Sequence, residues 1–293
     1  MIRAIAGLLA FLALTGCERA APPPDLPQPN PALWEVTLAD GRPAGWLFGT
    51  IHSLPDGAEW RTPAIDKAIV GADLLVVEVA DLENSAKLSS TFTRLSHSVE
   101  GQPPLSERVP QRLRAKLAAL LKKGGYREAD FKATETWAAA ITLAQLADES
   151  IGENGVDRAL VKDFRNREVV ELEGVEGQFA IFDRLPEDDQ RDLLGAVVEE
   201  DTMTTGDTAK LARMWLAGDM DAIAAEGDEG MLADAELREA LLAGRNRAWA
   251  ERIDALLKSG RKPMIAVGAA HMAPPDGLPE LLAARGYTVR RVR

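Results

Sequence analysis

A chain of 293 residues with 46% hydrophobic content can bury a sizeable core, as one large domain or two modest ones, and is not a disordered polymer. A net charge of −12 disfavours nonspecific attraction to nucleic acid, whose phosphates demand clustered Lys and Arg, so nucleic acid is set aside as a partner. The single cysteine rules out an internal disulfide and any multi-cysteine zinc site.

Arg3 precedes an apolar stretch over residues 5–14 that has signal-peptide length and is too short to cross a bilayer. It closes on Leu14-Thr15-Gly16-Cys17, which resembles the bacterial lipobox, so residues 1–17 are expected to be a lipoprotein signal with Cys17 as the acylated residue. An ordinary signal peptide with an incidental cysteine is the alternative. Glu18 after the cysteine points to a lipid-anchored protein of the bacterial cell envelope, on the periplasmic face of the outer membrane. Residues 18–31 are Pro-rich and lack apolar periodicity, which predicts an extended tether.

The folded domain is expected over residues 32–293. Leu33-Trp34-Glu35-Val36-Thr37-Leu38 alternates as a strand, Asp40-Gly41 marks a turn, and residues 45–51 form the second strand of a hairpin that ends at His52. A helix follows over 62–70, then a nearly continuous apolar strand over 73–79, interrupted by Glu78. From about 81 to 230 the period is helical, with helices over 106–122, 134–147, 155–164, 187–199 and 208–217, broken by a strand over 168–172 that runs into Glu173-Gly174. Residues 233–257 read as two helices interrupted around Gly244. The chain finishes with a strand over 264–267, a loop bearing His271, a helix over 278–284 capped by Gly286, and a strand over 287–292. The expected class is α/β, a mixed central sheet built from both chain ends with a large helical insertion.

Only three histidines are present, and two stand in matched settings: Gly49-Thr50-Ile51-His52 and Gly268-Ala269-Ala270-His271, each just past an apolar strand. Ligands of α/β folds bind outside such strand ends. Two neutral imidazoles and a carboxylate suit a divalent transition metal with open positions for water or substrate. Glu78 is the best third ligand, because a carboxylate in an apolar strand is costly unless paired. A solvent-facing strand end explains it equally well. His97, in a polar stretch, reads as solvated. No His-Glu-x-x-His motif, phosphate loop or Gly-x-Ser-x-Gly elbow is present.

Together, Leu47-Phe48-Gly49-Thr50-Ile51-His52, Val77-Glu78-Val79, Gly155-Val156-Asp157, Leu172-Glu173-Gly174-Val175-Glu176-Gly177-Gln178, Arg245-Asn246 with Trp249, and Val267-Gly268-Ala269-Ala270-His271 resemble the TraB/GumN family, to which the animal TIKI metalloproteases are related. The resemblance implies a metal-dependent hydrolase with His52, Glu78 and His271 at the proposed site. Gly174 departs from it, standing where the family more often has threonine.

Further candidates complete the expected site. Glu173 would serve as general base or fourth ligand, or else as a carboxylate on a helix dipole. Arg245 would stabilise an oxyanion or clamp a substrate carboxylate, with a surface ion pair as the bland reading. Asn246 would contact substrate or cap a helix, Gly49 and Gly268 would let substrate approach the backbone, and Asp157 would sit early in a helix with a structural role favoured over a catalytic one. The expected activity is cleavage of an amide or ester bond in a peptide or small molecule, with manganese, cobalt or zinc as the ion. The alternative is a non-catalytic envelope lipoprotein that binds haem or another small molecule through the same histidine pair. A third reading makes the helical insertion a partner-docking unit beside a vestigial site.

Overall fold

A computed structural model describes residues 26–81, 84–147, 154–200, 205–229 and 231–292. The signal-peptide reading, Cys17 included, lies outside the described residues. Strand β1 (Leu33–Thr37) turns through Asp40-Gly41 into β2 (Pro43–Thr50), as the alternation and turn residues require. Helix α1 (Pro63–Gly71) starts where Thr62 accepts the Ile65 N–H at 3.2 Å and Pro63 occupies the first turn, and it leads to β3 (Leu74–Val77). Helices α2 (Ser85–Leu95), α3 (Leu105–Arg108), α4 (Arg114–Lys123), α5 (Thr136–Ala147) and α6 (Val156–Asp163) precede β4 (Glu168–Glu171). Then come α7 (Gly174–Asp183), α8 (Glu187–Glu200), α9 (Thr205–Ala217), α10 (Met220–Glu229), α11 (Ala235–Arg238), α12 (Gly244–Lys258), β5 (Pro263–Gly268), α13 (Leu278–Ala283) and β6 (Thr288–Val292).

The six strands form one mixed sheet in the order β4-β3-β5-β2-β1-β6. β4, β3, β5 and β2 are mutually parallel, whereas β1 is antiparallel to both β2 and β6. Every residue of β3 is buried, which is why its sequence shows no alternation. The α/β class and the contribution of both chain ends to the sheet follow the expectation.

Two hydrophobic cores divide the helices. The first packs the sheet against α1, α6, α9, α12 and α13, with Phe48, Trp60 and Trp215 in ring contact beside β2. The second is all-helical, built by α3, α4, α5 and α8 around Trp137, Leu143 and Leu194, and it reaches Leu237 of α11. The insertion expected over about 81–230 thus returns to the sheet twice, through α6-β4 and through α9.

Four local expectations change. The helix expected over 106–122 divides into α3 and α4 at Val109-Pro110, because the residue before a proline is pushed out of the helical region. Residues 26–30 do not extend away from the domain: Leu26 packs on the first core and the Asn30 N–H donates to Leu216 O at 2.7 Å. The stretch over 233–257 is not interrupted at Gly244, because a π-helical turn over Glu239–Ala243 joins α11 to α12 without a break. Helices α2, α7 and α10 lacked a legible stripe: α2 has no buried residue at all, and α7 carries two glycines.

Within the second core Arg108 is 1% exposed and donates to three carbonyls, Pro103 O at 2.8 Å, Thr134 O at 2.9 Å and Phe131 O at 2.9 Å. It ties the segment before α5 to α3. Replacing Arg108 with Leu strands these buried acceptors, at about 1–3 kcal/mol each where no water reaches them. A loss of roughly 3 kcal/mol in urea unfolding, followed by far-UV circular dichroism, is expected; an unchanged midpoint would deny the guanidinium this role.

Candidate functional site

The four parallel strands bring their C-terminal ends to one edge of the sheet. Just beyond those ends lie His52 after β2, Glu78 after β3, Glu173 after β4 and His271 after β5. The edge holds two connected groups of polar side chains.

The first group surrounds Arg245, in the first turn of α12. Its Nε donates to Glu173 Oε1 at 2.7 Å and its Nη2 to Glu173 Oε2 at 2.9 Å, a bidentate fork. Nη2 also donates to Glu78 Oε2 at 2.6 Å, while Nη1 reaches Leu241 O at 2.9 Å and lies 3.2 Å from His271 Nε2. A guanidinium has five N–H donors, so all are engaged inside the protein and none remains to meet an oxyanion. The guanidinium carbon stands 4.6 Å from the Trp249 ring centre, and the Trp249 indole N–H donates to Glu173 Oε1 at 3.0 Å. Glu173 is therefore committed on both oxygens rather than poised as a base. Burial works against the Glu78 carboxylate, yet the neighbouring His271 ring, the Arg245 charge, and the hydrogen bonds from the Gly268 N–H, at 2.8 Å, and from Arg245 hold it below its usual range.

His271 is 5% exposed. Asn246 Nδ2 donates to Asp276 O at 2.9 Å, which turns its Oδ1 toward His271 Nδ1 at 2.5 Å. Nδ1 thus carries the ring proton and Nε2 offers its lone pair to Arg245. Burial first, then the nearby charges of Arg245 and His52, push the His271 pKa down to about 3 against the opposing pull of Glu78. This ring is neutral throughout the physiological range.

The second group is His52, Asp157 and Thr50. His52 Nδ1 lies 2.9 Å from Asp157 Oδ2, and the Thr50 hydroxyl donates to Asp157 Oδ1 at 2.5 Å. Asp157 is 8% exposed. Burial alone would raise its pKa, but the hydrogen bond and charge of His52 and the bond from Thr50 outweigh it and keep the carboxylate ionised. An ionised carboxylate only accepts, so His52 Nδ1 donates and Nε2 becomes the basic nitrogen. Gly155 makes the pairing possible, since a Cβ there would stand 2.5 Å from His52 O. The adjacent Val156 N–H donates to Ile51 O at 3.0 Å, docking the start of α6 against the loop after β2. Asp157, read from sequence as structural, is brought to the ring by this contact; its position at the start of a helix after a glycine was the only local signal.

A cavity of about 300 Å³ opens between the two groups, with His52, Asp157 and Glu78 on its wall. Its remaining surface is largely apolar, supplied by Val77, Val79, Leu88, Val175 and Phe179. Three expected substrate contacts are not on that wall. Asn246 is 0% exposed, with both ends of its amide engaged. The buried Gly49 accepts the Trp215 indole N–H at 2.8 Å, and the Gly268 N–H serves Glu78. Gly174 has φ of +69°, where a β-branched threonine would be strained, so glycine suits this backbone.

The residues expected to hold a divalent ion do not form a coordination shell as placed. Glu78 Oε2 and His271 Nε2 both face Arg245, a cation already standing where the ion would sit. Among the described residues no group of three or more His, Cys, Asp and Glu side chains is disposed to hold an ion.

Two outcomes follow. Replacing Arg245 with Leu leaves two buried carboxylates uncompensated and is expected to destabilise the fold by about 3–5 kcal/mol, with Lys restoring only part because it cannot form the fork. An unaltered unfolding midpoint in Arg245→Leu would remove the ion pairs from this role. Unfolded, His271 binds a proton as pH falls through about 6.5; folded, it does so only near 3. Its contribution is complete above about 6.5 and declines as pH falls toward the folded value, by up to about 1.4 kcal/mol per pH unit. Asp157 and Glu78, both lowered, add losses at still lower pH as they pass through their folded values. Urea midpoints measured downward from neutral pH should show this slope, and His271→Gln should flatten its upper part.

A profile of the TraB/PrgY/gumN family matches residues 32–291. Among curated proteins the chain is similar to "Uncharacterized protein YbaP" of Shigella flexneri and to the protein of that name from Escherichia coli (strain K12). Each is 27% identical over 260 residues, covering 86% of this chain and 92% of the relative. No solved structure matches it significantly. With the profile spanning nearly the whole described domain, the chain belongs to the TraB/PrgY/gumN family.

Proposed function

We propose that the chain is a hydrolase of amide or ester bonds whose base is His52, oriented by Asp157 and opening on the apolar cavity. The observation that carries this reading is the 2.9 Å contact of His52 Nδ1 with a buried, ionised Asp157 while the His52 side chain remains 80% exposed. A buried carboxylate that fixes the tautomer of an accessible imidazole is the arrangement a general base requires. His52 Nε2 takes a proton from water, the water oxygen bonds to the substrate carbonyl, and the proton is returned to the departing nitrogen or oxygen. Arg245, Glu173 and His271 act as positioning residues: they fix the ends of β3, β4 and β5 that frame the cavity. No step runs through a divalent ion. In the same reading, acylation of Cys17 would attach the enzyme to the cell envelope at the periplasmic face of the outer membrane.

The cavity lies at the lower end of the range of about 300–1,000 Å³ typical of small-molecule sites, which favours a side chain or short acyl group over a haem macrocycle. The test is turnover of a panel of chromogenic esters and short peptides, with and without added manganese, cobalt or zinc. His52→Ala and Asp157→Asn should each lower kcat by roughly 10²–10⁴-fold, the usual range for general-base catalysis. Equal rates in wild type and both variants would sink the base assignment. Loss of turnover with a chelator would return the ion to His52, Glu78 and His271, and ligand binding with no turnover in any condition would support the non-catalytic alternative.

A further inference from the structure

Two polar side chains on the cavity wall are used by nothing described so far. Arg158 follows Asp157 on α6, lines the cavity and is half-buried, and it makes no ion pair among the described residues. Arg61, Arg94, Arg112 and Arg245, by contrast, each hold a carboxylate within 3.2 Å. Gln178, on α7, also lines the cavity, and its Oε1 is buried with no hydrogen-bond donor. An unmatched buried acceptor is destabilising, and so is a half-buried guanidinium without an anion; both are tolerated where a ligand supplies the complement. The rest of the wall accepts an apolar group.

We infer that the cavity binds the C-terminal end of a peptide, with the terminal apolar side chain among Val79, Leu88, Val175 and Phe179, the free α-carboxylate on Arg158, and a peptide N–H donated to Gln178 Oε1. This rests on the hydrolase reading and gives it a substrate class: a peptide ending in an apolar residue. Because Arg158 and His52 line the same cavity, a carboxylate held on Arg158 presents the last peptide bond to His52. Water oxygen bonds to the carbonyl carbon of that peptide bond and the C–N bond breaks. The proton His52 takes from water passes to the departing amine, which leaves a shortened peptide and one amino acid.

Binding and cleavage are separated by titrating the full-length His52→Ala chain with N-acetyl-Ala-Phe bearing a free C-terminus and with its C-terminal amide, by calorimetry. The acid should bind about tenfold to a hundredfold more tightly than the amide, the range expected for hydrogen bonds to a charged group. Adding Arg158→Gln should erase the preference and Arg158→Lys should restore part of it, while Gln178→Leu should weaken both ligands alike. Equal affinity for acid and amide, a preference that survives Arg158→Gln, or binding of neither would overturn the inference. Turnover is then measured with His52 restored. Preferential binding of the acid without cleavage would leave the carboxylate site standing and defeat the hydrolase reading; cleavage of both forms at equal efficiency would do the reverse.

Discussion

A guanidinium buried between two carboxylates is the constraint on which the functional edge depends. Arg245 is the cation that Glu78 and Glu173 require where all three side chains are largely withdrawn from water, and these carboxylates follow adjacent parallel strands. Desolvating three charges is unfavourable unless geometry is close to ideal, and here the fork to Glu173, the second arm to Glu78 and the Trp249 face supply it. Backbone bonds reinforce the same junction: Glu173 N and Gly174 N both donate to Glu78 O. The ends of β3 and β4 are thereby held to one spacing, and Gly268 N links β5 to the same carboxylate.

That constraint separates two histidines that look alike in sequence. His271 sits against Arg245 and Asn246, is excluded from water and stays neutral, so its ring works as a hydrogen-bond acceptor within the protein. His52 lies outside the guanidinium's reach, keeps most of its surface exposed, and meets a carboxylate that fixes its proton on Nδ1. A shared Gly-x-x-His pattern thus yields one buried, neutral imidazole and one exposed imidazole held by a carboxylate. Environment, rather than motif, decides between them.

Much of this was legible from residues alone. The hairpin, the apolar strand before Glu78, the matched strand-loop-histidine units and the α/β class follow from alternation, turn residues and apolar runs, which are local properties. The placement of His52, Glu78, Glu173 and His271 on one edge follows from parallel strands ending together. What remained hidden depends on contacts far apart in the chain. Asp157 resembled any acidic residue in a first helical turn until α6 docked on Ile51. In sequence Arg245 and Asn246 read as substrate contacts, or as a surface ion pair and a cap, because nothing in their own helix reveals that β3, β4 and the His271 loop close over them. The continuity of α11 with α12 was obscured because glycine usually ends helices, whereas here it lies inside one.

That uninterrupted helix joins the two cores. Leu237 at its start is packed in the all-helical core, while Trp249, Ala250 and Ile253 farther along are packed in the sheet core, and Arg245 lies between them. The π turn, with its extra residue per turn, sets the angular phase at which these two apolar faces are presented. Inserting one residue at Gly244, where regular α-helical winding resumes, would rotate everything downstream by about 100°. Arg245 would then swing away from both carboxylates even though every residue of the ion-pair cluster was still present. The helix therefore works as a keyed shaft, in which the count of residues between two anchored faces matters as much as their identity.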